Sequence, residues 1–282
     1  KSMTQLCGKG IWLAHSYDLE RAAEMATRIG ATHLLVKVGH GPHYFPETTR
    51  DMLQRVRALG LYSLAWVRVT DQSPAETHRA IVKALAIGYR AAVLLLSADV
   101  GNGEMKRLTD ALINVEIPRD RLLLASPPLP HMEDTEALEA LIPICQGGWM
   151  PLCSPVWGED ARDVIDHDVY HSLGDLSLMW GKAPEVYPVL SARGASDETN
   201  FLPEDFIPWV EAIARHGVDF FSVFHAADIE KALWPMLQSI NIACLDTDEQ
   251  AAITQLSESP SVSSVPQPVY VTVRASDTVW GL

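Results

Sequence analysis

Lys37 interrupts an otherwise apolar run, Leu34-Leu35-Val36-Lys37-Val38. A lysine desolvated in this way gives up its proton readily and can serve as a Schiff-base nucleophile. Aldolase-type chemistry also wants a clamp for phosphate or carboxylate, and no Gly-rich phosphate loop follows the last apolar runs of the chain. An ion pair with a nearby acid is therefore the expected role of Lys37. Further along, Asp99 and Asp228 supply carboxylates, Arg193 a permanent cation and His225 an imidazole, while Trp157 offers a face on which a sugar ring can stack. Metal chemistry is not expected. His167 and His171 stand four apart on a predicted helix and share its face, but no H-E-x-x-H frame surrounds them, so a solvated pair is the reading. Cys7, Cys145, Cys153 and Cys244 show neither C-x-x-C nor metal-ligand spacing and are expected as free thiols. No cofactor is called for.

Residues so distant in sequence can meet only if regular elements bring them together. Eight short apolar, β-branched runs, at 11–15, 33–38, 62–69, 91–97, 121–126, 148–153, 186–191 and 220–224, alternate with amphipathic stretches. The stretches at 18–29, 46–59 and 74–87 each stop at a glycine (Gly30, Gly60, Gly88), and the one at 203–216 opens on Pro203 and stops at Gly217. Eight such alternations between Gly10 and about Leu237 predict an α/β fold, a (β/α)8 TIM barrel. The chemistry of such a barrel gathers at the carboxyl ends of its strands. The residues closing the runs are His15 and Ser16; Lys37, Gly39 and His40; Arg68 and Asp71; Ser97 and Asp99; Ser126; Trp157; Ser191 and Arg193; and His225 and Asp228.

Composition narrows the partners. With 282 residues and 48% hydrophobic content the chain can bury one large core, and no run of about 18 apolar residues is present to span a membrane. A formal charge of −14 repels the phosphates of nucleic acid and suits a neutral or cationic partner. Oligomeric state is not legible. Lys1-Ser2 ahead of Met3 reads as an added start, with no apolar signal core behind it, so a cytoplasmic or cell-wall location reached by a non-Sec route is expected. Expected boundaries are a barrel over 8–250, a Ser/Pro-rich linker over 251–268 and a short terminal segment over 269–282.

Across much of the chain the sequence resembles bacterial glycoside-hydrolase-like TIM barrels. The residues carrying this are Gly8-Lys9-Gly10-Ile11-Trp12, the stretch Ile29-Gly30-Ala31-Thr32-His33-Leu34-Leu35-Val36-Lys37-Val38-Gly39-His40-Gly41, Trp149-Met150-Pro151, and Pro188-Val189-Leu190-Ser191-Ala192-Arg193-Gly194. In those relatives the fourth strand tends to close with Asp-x-Glu, whereas Ser97-Ala98-Asp99 stands here, so the first acid is lost and the second is shortened by a methylene. Glycoside cleavage ordinarily needs two carboxyls, about 5 to 5.5 Å apart for retention or about 6.5 to 9.5 Å for inversion. Asp99 is then the candidate acid, with Asp71, Glu104, Glu159, Asp160, Asp197, Glu198 and Asp228 left open as its partner. An N-acetylated substrate that supplies its own nucleophile would need only one acid. Against that stands the sixth run, whose Met150-Pro151-Leu152-Cys153-Ser154-Pro155-Val156-Trp157 lacks a Tyr or Asp to orient an acetamido group.

The final residues, Val269-Tyr270-Val271-Thr272-Val273-Arg274-Ala275-Ser276-Asp277-Thr278-Val279-Trp280-Gly281-Leu282, resemble the opening of a LysM module, with a strand, a turn and the start of a helix capped by Asp277 or Thr278. Together the two resemblances imply a barrel that engages a GlcNAc-containing cell-wall polysaccharide of peptidoglycan or chitin type, with Asp99 as acid and Lys37, Trp157, Arg193, His225 and Asp228 lining the cleft. The alternative is a catalytically inactive barrel that binds glycan or serves as a scaffold; loss of the acid at Ser97 favours it.

Overall fold

The structure is a computed structural model that describes residues 5–40, 43–44, 46–69, 74–96, 102–114, 117–132, 135–155, 160–191 and 203–242. The expected barrel is there. Strands β1 (Gly8–Leu13), β2 (His33–His40), β4 (Tyr62–Val69), β5 (Ala92–Leu96), β6 (Leu122–Ser126), β7 (Trp149–Cys153), β8 (Val189–Ser191) and β9 (Phe220–Phe224) are joined in parallel, each to the next, and β1 pairs with both β2 and β9 to close the ring. The strand β3 (His43–Tyr44) is a two-residue addition that folds back antiparallel on the end of β2. Between the strands lie helices α1 (Leu19–Ile29), α2 (Pro46–Ala58), α3 (Pro74–Ile87), α4 (Asn102–Ile113), α5 (Glu136–Leu141), α6 (Tyr170–Trp180), α7 (Pro203–Arg215) and α8 (Trp234–Ser239). A π-helical segment, Arg162–Val169, runs directly into α6.

Alternation along each strand divides the core into two layers. Ile11, Leu34, Val36, Ala65, Val67, Leu94 and Val223 face outward and meet the helices. Trp12, Leu35, Leu64, Trp66, Val93, Leu95, Met150, Tyr187 and Phe220 face inward and fill the barrel. The interior is tight enough to dictate a glycine: a Cβ on Gly10 would sit 2.7 Å from Phe220 Cζ and 2.8 Å from Leu35 Cδ1. Gly30 serves a different need. Its φ of 68° closes α1 in the left-handed region, and its N–H donates to Ala26 O.

Two expectations are corrected. The first strand is Gly8–Leu13 and not 11–15, because Gly8, Lys9 and Gly10 already pair with Phe220, Phe221 and Ser222 of β9; His15 then lies past the strand, ahead of a 3-10 turn at Ser16–Asp18. Cys145 and Cys153 are free and buried as expected, but Cys7 is disulfide-bonded and not a free thiol. The one cysteine left in the chain, Cys244, lies outside the described residues, as do the linker and the LysM-like segment. Sequence spacing carried no sign of this bond. A Cys7→Ser change is expected to lower stability by about 2–4 kcal/mol. Thermal melts with and without a reductant check this: the reductant should lower the melting temperature of the parent and leave that of the variant unmoved.

Candidate functional site at the barrel mouth

Near the carboxyl ends of the strands, three inward rings form a floor. Trp12 on β1 lies 5.3 Å from Trp66 on β4 and 5.3 Å from Phe224 on β9, and Trp66 lies 5.9 Å from Phe224, all tilted or edge-on. Such geometry sets ring edges against faces, as the aromatic quadrupole favours. Each indole N–H finds an acceptor: Trp12 Nε1 donates to Ser222 Oγ at 2.8 Å and Trp66 Nε1 to the Leu13 carbonyl at 3.1 Å. Both rings are buried, so they shape the floor and present no open stacking face.

Lys37 stands on this floor. Alternation from Leu35 turns it inward, and its Nζ lies 5.1 Å from the centroid of Trp66, a cation–π contact. Burial and then the charge of Arg68 push its pKa below the ordinary lysine value. Among the described residues, then, Lys37 is engaged by the aromatic face of Trp66, while Asp99, an acid that could pair with it, lies outside them. The strand that leads to Asp99 is apolar on its inner side, since β5 turns Val93 and Leu95 into the barrel and both are buried.

Across the mouth, β9 ends at Phe224, and His225 and Asp228 follow, with His225 Nε2 3.2 Å from Asp228 Oδ2. Their loop is held from both sides. Ala226 N–H donates to the Trp12 carbonyl at 2.9 Å, and Arg21 on α1 reaches across to the carbonyls of Ala226 at 2.9 Å and Ile229 at 2.7 Å. Arg21 escaped the sequence reading because an arginine early in an amphipathic helix looks like an exposed charge. Trp66 and Phe224 escaped because inward and outward positions of a strand buried on both faces are equally apolar. Tyr17, 77% exposed, stacks on His15 at 4.9 Å with 7° between planes, an accessible aromatic pair in the connection after β1.

Of the site residues expected from sequence, Lys37, His225 and Asp228 stand at this end of the barrel, while Asp99, Trp157 and Arg193 lie outside the described residues. Ser126 faces outward instead, where its Oγ accepts Trp149 Nε1 at 2.9 Å. The rings of His167 and His171 do share a face, stacked at 5.2 Å, on the outer helical layer. No group of three or more His, Cys, Asp or Glu side chains among the described residues is arranged to hold a metal ion.

No family model matches the chain, and no curated protein matches it in sequence. Solved structures do match in fold. Active domain 2 of a thermostable chitinase from Pyrococcus furiosus, studied as catalytic-site mutants with chito-oligosaccharides, aligns with a TM-score of 0.61 at 12% identity, covering 89% of this chain and 95% of that one. A chitinase from Chromobacterium violaceum aligns at 0.57 with 10% identity, covering 83% and 98%. The spore cortex-lytic enzyme SleL of Bacillus cereus aligns at 0.54 with 10% identity, covering 84% and 75%. At these identities the likeness establishes the fold alone, a TIM barrel.

Proposed function

We propose that the barrel engages a GlcNAc-containing cell-wall glycan, of peptidoglycan or chitin type, at the carboxyl-end mouth, and that binding is its principal activity. One observation carries the choice of binding over hydrolysis: the inner face of the mouth is an aromatic floor topped by Lys37, and the strand leading to Asp99 shows it Val93 and Leu95. A cation in that position holds any carboxylate that approaches it ionised, the wrong state for a general acid. The buried apolar side chains beneath the mouth supply no second carboxyl. The disulfide at Cys7 supports a location in an oxidising compartment, where cell-wall glycans are found. In the proposed organisation the barrel spans 8–250, a linker spans 251–268, and the LysM-like opening at 269–282 gives a second glycan contact. Trp157 and Arg193 extend the sugar-binding surface.

Hydrolysis is the second reading, favoured by the carboxylate of Asp228 at the end of β9 and by Asp99 three residues beyond the last residue of β5. One experiment separates the two. The protein and its Asp99→Asn variant are incubated with soluble GlcNAc oligomers and peptidoglycan fragments, and both binding and cleavage are measured. Binding without cleavage by both proteins is the expected result. Cleavage that falls by about a hundredfold or more in the variant, the scale for losing a general acid, would establish the enzyme instead. Neither binding nor cleavage would refute the glycan reading of the barrel.

A further inference from the structure

The end of β2 contains a register shift between Lys37 and Gly39. Without it, strand alternation would turn residues 37 and 40 to opposite faces, because they are an odd number apart. The bulge resets the count, as bulges near functional sites commonly do. Lys37 pairs with Trp66, Gly39 with Val67, and His40 then falls opposite Arg68, on the inward face that Trp66 also occupies. Gly39 takes the outward position, where a Cβ would press on Ala80 Cβ and Val67 Cγ2, both at 3.3 Å. His43 is paired directly with His40 across the small antiparallel turn onto β3, so its side chain joins the same face.

The chain has thus spent a bulge and a two-residue strand on gathering Lys37, His40, His43 and Arg68 at one edge of the mouth, in a molecule whose formal charge is −14. Lys37 and Arg68 are the cations of this edge, and the two imidazoles stand beside them. Burial lowers the pKa of His40, and the charges of Lys37, Arg68 and His43 lower it further. Among the described residues, no carboxylate pairs with Lys37, His40 or His43.

We infer that this rim seats a carboxylate of the bound glycan, so that the preferred ligand is an acidic GlcNAc-type polymer and not neutral chitin. The inference rests on the glycan reading of the mouth and specifies its substrate class. The glycan would lie across the mouth above the closed floor, with an acid substituent meeting Lys37 and with His40 and His43 beside it as donors. Arg68 adds charge to the edge without being required to be free.

The test compares three oligosaccharides of equal length by titration calorimetry at low salt: a neutral GlcNAc oligomer, one that alternates GlcNAc with lactyl-ether sugars bearing free carboxylates, and one that alternates GlcNAc with uronic acids. Either or both acidic oligomers should bind roughly tenfold tighter than the neutral one, the scale of one charge-assisted contact, and the ratio should shrink with added salt. Lys37→Met, which keeps an apolar stem over Trp66, should bring the ratio close to one, and Lys37→Arg should restore it. Should Lys37→Met not fold, His40→Gln at the rim should still lower the ratio. Equal affinity of the parent for neutral and acidic oligomers would overturn the inference and leave the glycan reading intact. A preference that survived both Lys37→Met and His40→Gln would overturn the placement of the carboxylate. Absence of binding to all three would remove the glycan reading and this inference with it.

Discussion

Trp12→Ala is expected to lower the stability of the barrel by about 3–5 kcal/mol, the usual range for emptying a buried tryptophan site. Trp12 is 0% exposed and is the hub of the floor, touching both Trp66 and Phe224. The space it vacates cannot be refilled from below, since Gly10 is held small by Phe220 and Leu35. Nor can it be refilled from the side without pulling Trp66 Nε1 off the Leu13 carbonyl. Ser222→Ala isolates the polar part of the loss, because the buried indole N–H of Trp12 would lose its acceptor at a cost of about 1–3 kcal/mol. Denaturant unfolding of the two variants gives both numbers. For a domain of this size the larger loss corresponds to a fall of roughly 6–20 °C in melting temperature. A change of only a degree or two for Trp12→Ala would mean that the floor is not packed as described. Because Lys37 is carried on Trp66, the same variant should also weaken glycan binding at temperatures where it remains folded.

The barrel was legible because its signal is repeated. Eight short apolar runs alternating with amphipathic stretches, four of which stop at a glycine, leave few other ways to bury so much apolar surface, and a boundary error in one run does not disturb the count. The run expected at 11–15 shows where that reasoning slips. Ala14 and His15 continue the apolar alternation, but hydrogen bonding to β9 begins at Gly8, so the strand is shifted toward the amino terminus. The site was less legible. Lys37 stood out as a charge in an apolar run, yet its partner could not be read, since an inward tryptophan on the next strand and an acid beyond a strand end are equally plausible from spacing. The bulge that turns His40 inward has no sequence signature beyond Gly39. His225 and Asp228 were found because they close the last run, whereas Arg21, which holds their loop, belongs to the first helix and can be assigned only once β9 is seen to lie beside β1.

At the opposite end of the barrel, Lys9 offers the second large effect. This lysine, 6% exposed, points outward from β1 into the seam between α1 and α8, where Nζ donates to the carbonyls of Ile29 at 2.9 Å, Leu237 at 2.7 Å and Gln238 at 3.1 Å. All three acceptors belong to the last turns of their helices, so one cation caps two negative dipole ends and ties the first βα unit to the last. Burial pulls the pKa of Lys9 down from 10.5 to about 8. Replacing it with Met relieves the cost of a buried charge but orphans three carbonyls. The orphaned acceptors decide the sign, although a groove of about 320 Å³ beside them admits water and softens the loss. At pH 7 the Lys9→Met variant should be less stable by about 2 kcal/mol. The pH dependence follows from linkage. Between pH 8 and 10.5 the unfolded chain holds the Lys9 proton and the folded chain does not, so wild-type stability gains with rising pH across that window, by up to about 3 kcal/mol from this group. Groups elsewhere titrate alike in both proteins and cancel in the difference. The gap between wild type and Lys9→Met, measured by denaturant unfolding at successive pH values, should therefore be flat below pH 8 and widen from there to pH 10.5; a gap that narrowed over that range would show that the carbonyls hold the cation more strongly than burial repels it.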